Sequence, residues 1–125
     1  MRVVLILAAA HNLLAGTGML VFYHEAYKML GLAKPDLNLP LQLVGILVGL
    51  FGVGYWLVVR SPVENRNLLL LGLWSKALGS TLGVYYVLLG ELPLAFLPIL
   101  FFSDIIYLLP FYVIWRRLRD AAAAR

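Results

Sequence analysis

Four apolar runs divide this 125-residue chain, at residues 3–22, 41–59, 68–89 and 94–115. Each is close to the roughly 20 residues that carry a helix across about 30 Å of hydrocarbon. A backbone in lipid must satisfy its own amides, so uninterrupted runs of this length predict helices. Only 13% of the residues are charged and 63% are hydrophobic, against about 25% charged in an ordinary soluble domain. The expected fold is all-α, a four-transmembrane-helix up-down bundle forming a single integral membrane domain over residues 1–125. No soluble domain is expected.

The punctuation between the runs sets the connections. The first ten residues imitate a signal peptide, with Arg2 ahead of an apolar stretch ending in Ala8-Ala9-Ala10. Hydrophobicity nevertheless continues to Phe22, and this predicts a retained helix. Beyond it, the chain continues helically to a left-handed cap at Gly31 before Lys34-Pro35, with Tyr23 and Tyr27 as interfacial anchors. Asn38 is expected to cap the second span, with Pro40 in its first turn. Ser61-Pro62-Val63-Glu64 has the pattern of a capping box opening the third span. Such a short connection, like Gly90-Glu91-Leu92-Pro93 before the fourth, implies antiparallel neighbours. Pro98 and Pro110 predict kinks, and residues 121–124 a frayed alanine tail.

The net charge of +4 is not a nucleic-acid patch, because the basic residues sit at the ends of the apolar runs. Arg2, Arg60, Arg66, Arg116, Arg117, Arg119 and Arg125 fall on one side, and Lys28 and Lys34 on the other. The positive-inside rule then places both termini in the cytoplasm, and the expected location is a bacterial inner (cytoplasmic) membrane. Asn65, Arg66, Arg116 and Arg117 would lie at the cytoplasmic face. Cysteine is absent, which removes disulfides, thiolate metal sites and cysteine nucleophiles.

His11, Lys76 and Asp104 lie near the middle of three different runs. A charge at bilayer depth costs about 2.5–3.5 kcal/mol on insertion scales, so such residues face partners inside the protein. At about 1.5 Å of rise per residue, the three fall within about 5 Å of one level. With Asn12 they form a candidate intramembrane polar cluster. Small residues mark the helix faces expected to pack: Gly45 and Gly49 on the second span, and Gly72, Gly79 and Gly83 beside Lys76 on the third. Gly49 and Gly52 are expected at the level of the cluster. Two roles fit these residues. In one, Lys76 and Asp104 pin two helices while His11 and Asn12 complete the hydrogen bonds; in the other, the trio holds a polar head group or passes protons.

No Walker loop, nucleophile elbow or His-Glu-x-x-His occurs, and His24-Glu25 is a poor start for a metal site. No catalytic residue, metal or cofactor is assigned, although a bound lipid, quinone or pigment would suit the aromatic faces. Pro62 with Asn65-Arg66, then Gly72, Lys76 and Gly79, then Asp104 in the last span, resemble small four-span bacterial membrane proteins of unassigned activity, DoxX-like in size and layout. That resemblance covers nearly the whole chain and implies a four-helix bundle accompanying redox or lipid-related membrane systems.

The leading expectation is a non-catalytic accessory subunit packing within a larger membrane complex, electron-transfer or lipid-related. Its partners would be the lipid bilayer and other membrane subunits or copies of itself, with no nucleic acid. The alternative is a small membrane enzyme or carrier holding a quinone or lipid at the buried His/Lys/Asp cluster, with Lys76 as the anion anchor. A transporter ranks third, because four short spans leave little room for alternating access.

Overall fold

The structure is a computed structural model that describes all 125 residues. It is entirely helical, without strands, and comprises α1 (Arg2–Val21), α2 (Tyr23–Leu30), α3 (Leu39–Arg60), α4 (Arg66–Leu88) and α5 (Phe96–Ala123). Inside α5, residues Phe101–Ile105 form a π-helical turn. Helices α1, α3, α4 and α5, of 20, 22, 23 and 28 residues, are each long and apolar enough to cross a membrane. Only 19 of the 125 residues are buried, and leucines, valines and aromatics such as Trp74 and Phe102 point outward. That arrangement suits surroundings of hydrocarbon, in which an exposed leucine costs nothing. The chain is thus an integral membrane protein by the length and composition of its helices.

The helix ends follow local chemistry. Gly31, at φ +68°, closes α2 in a Schellman motif, its amide donating to the Lys28 carbonyl and that of Leu32 to Tyr27. Gly90, at φ +78°, closes α4 in the same way through Val87 and Tyr86. Asn38 occupies the cap position of α3 without a side-chain cap bond, and its Oδ1 is buried without a partner.

The opening of α4 differs from the capping-box expectation. Ser61 is consumed in ending α3, its amide donating to the Leu57 carbonyl, and residues 61–65 make a separate turn. Asn65 precedes the first residue of α4 and turns its side chain back, donating to the carbonyls of Leu57 (3.0 Å) and Ser61 (3.1 Å). The Asn65 Nδ2 thus satisfies carbonyls left over where α3 ends, and its side chain makes no cap bond to the amides of α4. Glu64 instead accepts from Arg125 at 2.8 Å, and Arg66 donates to the Val63 carbonyl at 2.7 Å. The alanine tail is also helical, to Ala123, as expected of the residue with the best helix propensity.

Helices α1 and α3 pack backbone to backbone. A Cβ on Gly16 would lie 2.5 Å from the Gly45 carbonyl oxygen, and one on Gly52 2.9 Å from the Leu13 amide nitrogen. Gly45 and Gly49 thus admit the close approach of Gly16 that their spacing predicts, and Gly52 extends the contact along α3. The Cβ direction of Gly49 is open, and it contributes only the backbone that Gly16 approaches. On α4, Gly72 faces the Tyr55 ring and Gly83 faces Leu100, whereas Gly79 is exposed and open. The buried stripe is Leu69, Gly72, Lys76, Ser80 and Val87. Gly79 falls about 60° to the side of Lys76 on the helical wheel, too far round to join it.

The core joins Leu5, Ala8 and Ala9 of α1, Tyr55, Val58 and Val59 of α3, Leu69 of α4, and Phe111, Ile114 and Leu118 of α5. It fills one end of the bundle, where α1 and α4 begin and α3 and α5 finish, here called the closed end. The opposite end, ringed by α2 and the start of α5, is open.

Candidate functional site

Lys76 lies at the boundary between the two ends. Its side chain is only 5% exposed. The ammonium donates to the Ser103 carbonyl at 2.9 Å and to Asp104 Oδ1 at 3.2 Å. Both acceptors belong to the π-helical turn of α5, where the amide of Ile106 bonds back to the Phe101 carbonyl, five residues away. Such a turn widens the helix locally and is frequent at functional sites. Here it presents a main-chain oxygen and a carboxylate to one ammonium.

Three rings complete the enclosure. Lys76 Nζ lies 5.1 Å from the centroid of Tyr107, 5.8 Å from Tyr55 and 5.9 Å from Phe111, within cation–π range. Tyr55 and Phe111 meet edge to face at 5.1 Å, and Tyr107 lies 5.4 Å from Phe111. The Lys76 charge is thus matched by a carboxylate, a carbonyl and three π faces.

Of the four residues expected in the polar cluster, the structure joins Lys76 and Asp104 directly. His11 borders the same space, its ring 6.5 Å from that of Tyr107, and it makes no hydrogen bond to the protein. Asn12 borders the same pocket and does not bond to the ion pair; its Nδ2 donates to the Val48 carbonyl at 3.2 Å. It serves as a clasp between α1 and α3 because that seam is the closest in the molecule. Gly52 likewise packs on α1, and the α3 residues facing the ion pair are Phe51 and Tyr55.

Beyond the ion pair opens a pocket of about 600 Å³, in the range of roughly 300–1,000 Å³ typical of small-molecule sites. His11, Lys76, Ser103 and Asp104 supply its polar end. The walls are apolar, from Met19, Leu41, Phe96, Ile99 and Leu100, and Ala26, Met29 and Leu30 of α2 cover its far side. Asp104 engages Lys76 through one oxygen only. Its side chain is 27% exposed, and the other oxygen has no partner in the protein. Among the groups bordering the pocket, the second Asp104 oxygen and the His11 imidazole have no partner in the protein, and Asn12 and Ser75 add further polar atoms to the lining. No three side chains converge that could hold a metal ion.

The residues expected at the basic face lie apart from the pocket. Arg116 and Arg117 are exposed, Arg119 stacks on Trp115 at 5.3 Å, and Asn65 and Arg66 are engaged in the turn between α3 and α4. Helical spacing sets Tyr107 and Phe111 on the face of Asp104, but the enclosure of Lys76 by these rings and Tyr55, and the π turn, are not foreseen from the sequence. The signals available were tyrosines inside two apolar spans, Tyr55 and Tyr107, and the placement of Pro98 and Pro110 at equal distances on either side of Asp104. Comparison with protein-family models, with curated proteins and with solved structures finds no match to this chain.

Proposed function

We propose that this protein binds a lipid-soluble molecule with a polar head in the pocket between α1, α2, α3, α4 and α5. The carrying observation is the joining of an apolar volume of about 600 Å³ to a polar end with two unused hydrogen-bonding groups, on His11 and Asp104. A purely structural ion pair needs no such space, and interiors without a ligand are close-packed. The ligand classes that suit are a quinone or another lipid, with the head at His11 and Asp104 and the tail toward Met29. Lys76 is not an anion anchor in this reading, since its charge is already matched.

The reading places the protein in a bacterial inner membrane as an up-down four-span bundle, DoxX-like in layout. The arginine bias supports cytoplasmic termini, and the pocket then opens toward the other leaflet. Native mass spectrometry of protein released from its own membranes tests this. A bound amphiphile is expected with the wild type and is expected to vanish in Ala15→Phe, which fills the pocket. Equal lipid retention by both would count against it.

A second reading, an accessory subunit packed in a larger complex or against its own copies, is favoured by one observation. Gly54 and Gly79 have nothing of their own chain within 4 Å of their Cβ directions, and such faces admit a neighbouring helix closely. Chemical cross-linking in native membranes distinguishes the two. Capture of one stoichiometric partner at Gly79→Cys would support the subunit reading.

A further inference from the structure

We infer that the pocket selects an uncharged lipid whose head ends in a hydroxyl group, and rejects lipids with anionic heads. This rests on the ligand-binding reading above and assigns its chemical class.

The argument is one of charge. The floor carries one ammonium and one carboxylate, and the two neutralise each other at 3.2 Å. The ammonium is 5% exposed, lies beneath Tyr55, Tyr107 and Phe111, and has already given two of its three N–H donors to Ser103 and Asp104, so little of it is left for an incoming head. Asp104 lines the pocket, 27% exposed, with a second oxygen that has no protein partner and that, in the ionised group, can accept but not donate. An anionic head would bring a second negative charge against it in a low-dielectric space, where repulsion is weakly screened. A cationic head would have to exchange its hydration for a carboxylate already shared with Lys76. A hydroxyl meets neither penalty: it donates to Asp104 and accepts from the His11 ring, which lines the same space without a protein partner. Charge-assisted bonds of this kind are the stronger class. Two groups with no partner in the protein are then both satisfied by one head.

The test uses one alkyl chain with a photoreactive diazirine and two heads, a free alcohol and its phosphate monoester, added to the full-length protein in neutral lipid nanodiscs. The alcohol is expected to label Met19, Met29 or Phe96 at least tenfold more than the phosphate does. In Asp104→Asn the Lys76 charge is left uncompensated, and the preference is expected to reverse toward the phosphate. Should that variant fail to fold, the double variant Lys76→Met/Asp104→Asn removes both charges, and the ratio is expected to fall close to one. Equal or stronger labelling of these residues by the phosphate in the wild type would overturn the inference while leaving a lipid pocket in place. Absence of labelling at the pocket by either probe would overturn the pocket reading itself.

Discussion

At the closed end of the bundle Leu5, Val58 and Phe111 are sealed at 0–1% exposure, whereas further along the same helices Met19, Leu41 and Phe96 border a space of about 600 Å³. The two ends share four spans and a similar apolar content, so composition does not separate them. What separates them is side-chain shape and helix spacing. Toward the closed end, Gly72 lets the Tyr55 ring in and Phe111 packs against that ring. At the open end, α5 begins with Pro98 and the π turn, and α2 covers the gap that this leaves. The Lys76–Asp104 pair is both the lid of the core and the floor of the pocket. The lesson is that stability and recognition are divided along the bundle axis, with one ion pair on the boundary.

Variants that break this division should rank by which end they touch. Phe111→Ala, at a fully buried ring, is expected to destabilise by about 3–5 kcal/mol, the usual cost of truncating a packed phenylalanine. Thermal unfolding in detergent would show it, and a loss below about 1 kcal/mol would mean that the closed end is not a close-packed core. At the boundary the two partners should behave unequally. Asp104→Asn strands an ammonium that is 5% exposed, while Lys76→Met leaves a carboxylate that is 27% exposed to the pocket. The first is expected to cost about 3 kcal/mol, as for other broken buried pairs, and the second clearly less. The double variant should recover much of the loss, and a cycle showing strict additivity would mean that the pair is not coupled.

The sequence made the coarse fold legible because hydrocarbon imposes so few solutions. Residues 3–22, 41–59 and 68–89 fall within two positions of Arg2–Val21, Leu39–Arg60 and Arg66–Leu88, and 94–115 matches the start of Phe96–Ala123, whose helix runs on through the basic cluster and the alanine tail. Lys76 and Asp104 were legible as a pair for the same reason, since each needs a partner at depth. Gly79 was misplaced because periodicity defines a face only to within tens of degrees, and neighbouring helices decide which edge is used. The α4 start was misplaced because Ser61 serves the helix that precedes it. The pocket had no signal in the sequence, since an absence of side-chain volume arises only from the arrangement of whole helices.

At the open end, Met29→Ala is expected to change stability by less than about 1 kcal/mol, because Met29 is 74% exposed and surface substitutions seldom exceed about 0.5 kcal/mol. Retention of a bound amphiphile should nevertheless fall. A large loss of stability with unchanged retention would assign α2 to the core instead.

The smallest effect concerns Glu64, outside the spans. The hydrogen bond from Arg125 holds its carboxyl below the usual carboxylate range. Its contribution is therefore present above the unfolded-state pKa and lost as pH falls through the depressed folded value. Both side chains are largely exposed, so Glu64→Gln should only slightly flatten the acid limb of the unfolding profile, an effect further reduced by salt. A marked change at neutral pH would show that the closed end depends on this pair.

The hollow character of the open end is tested most directly by an experimental density map of the protein in lipid. The account predicts elongated density running from His11 and Asp104 toward Met29, with its head nearer the carboxylate oxygen that Lys76 leaves free. Phe96 and Leu100 turned inward against Lys76, with α1 and α5 closed over an empty interior, would contradict it.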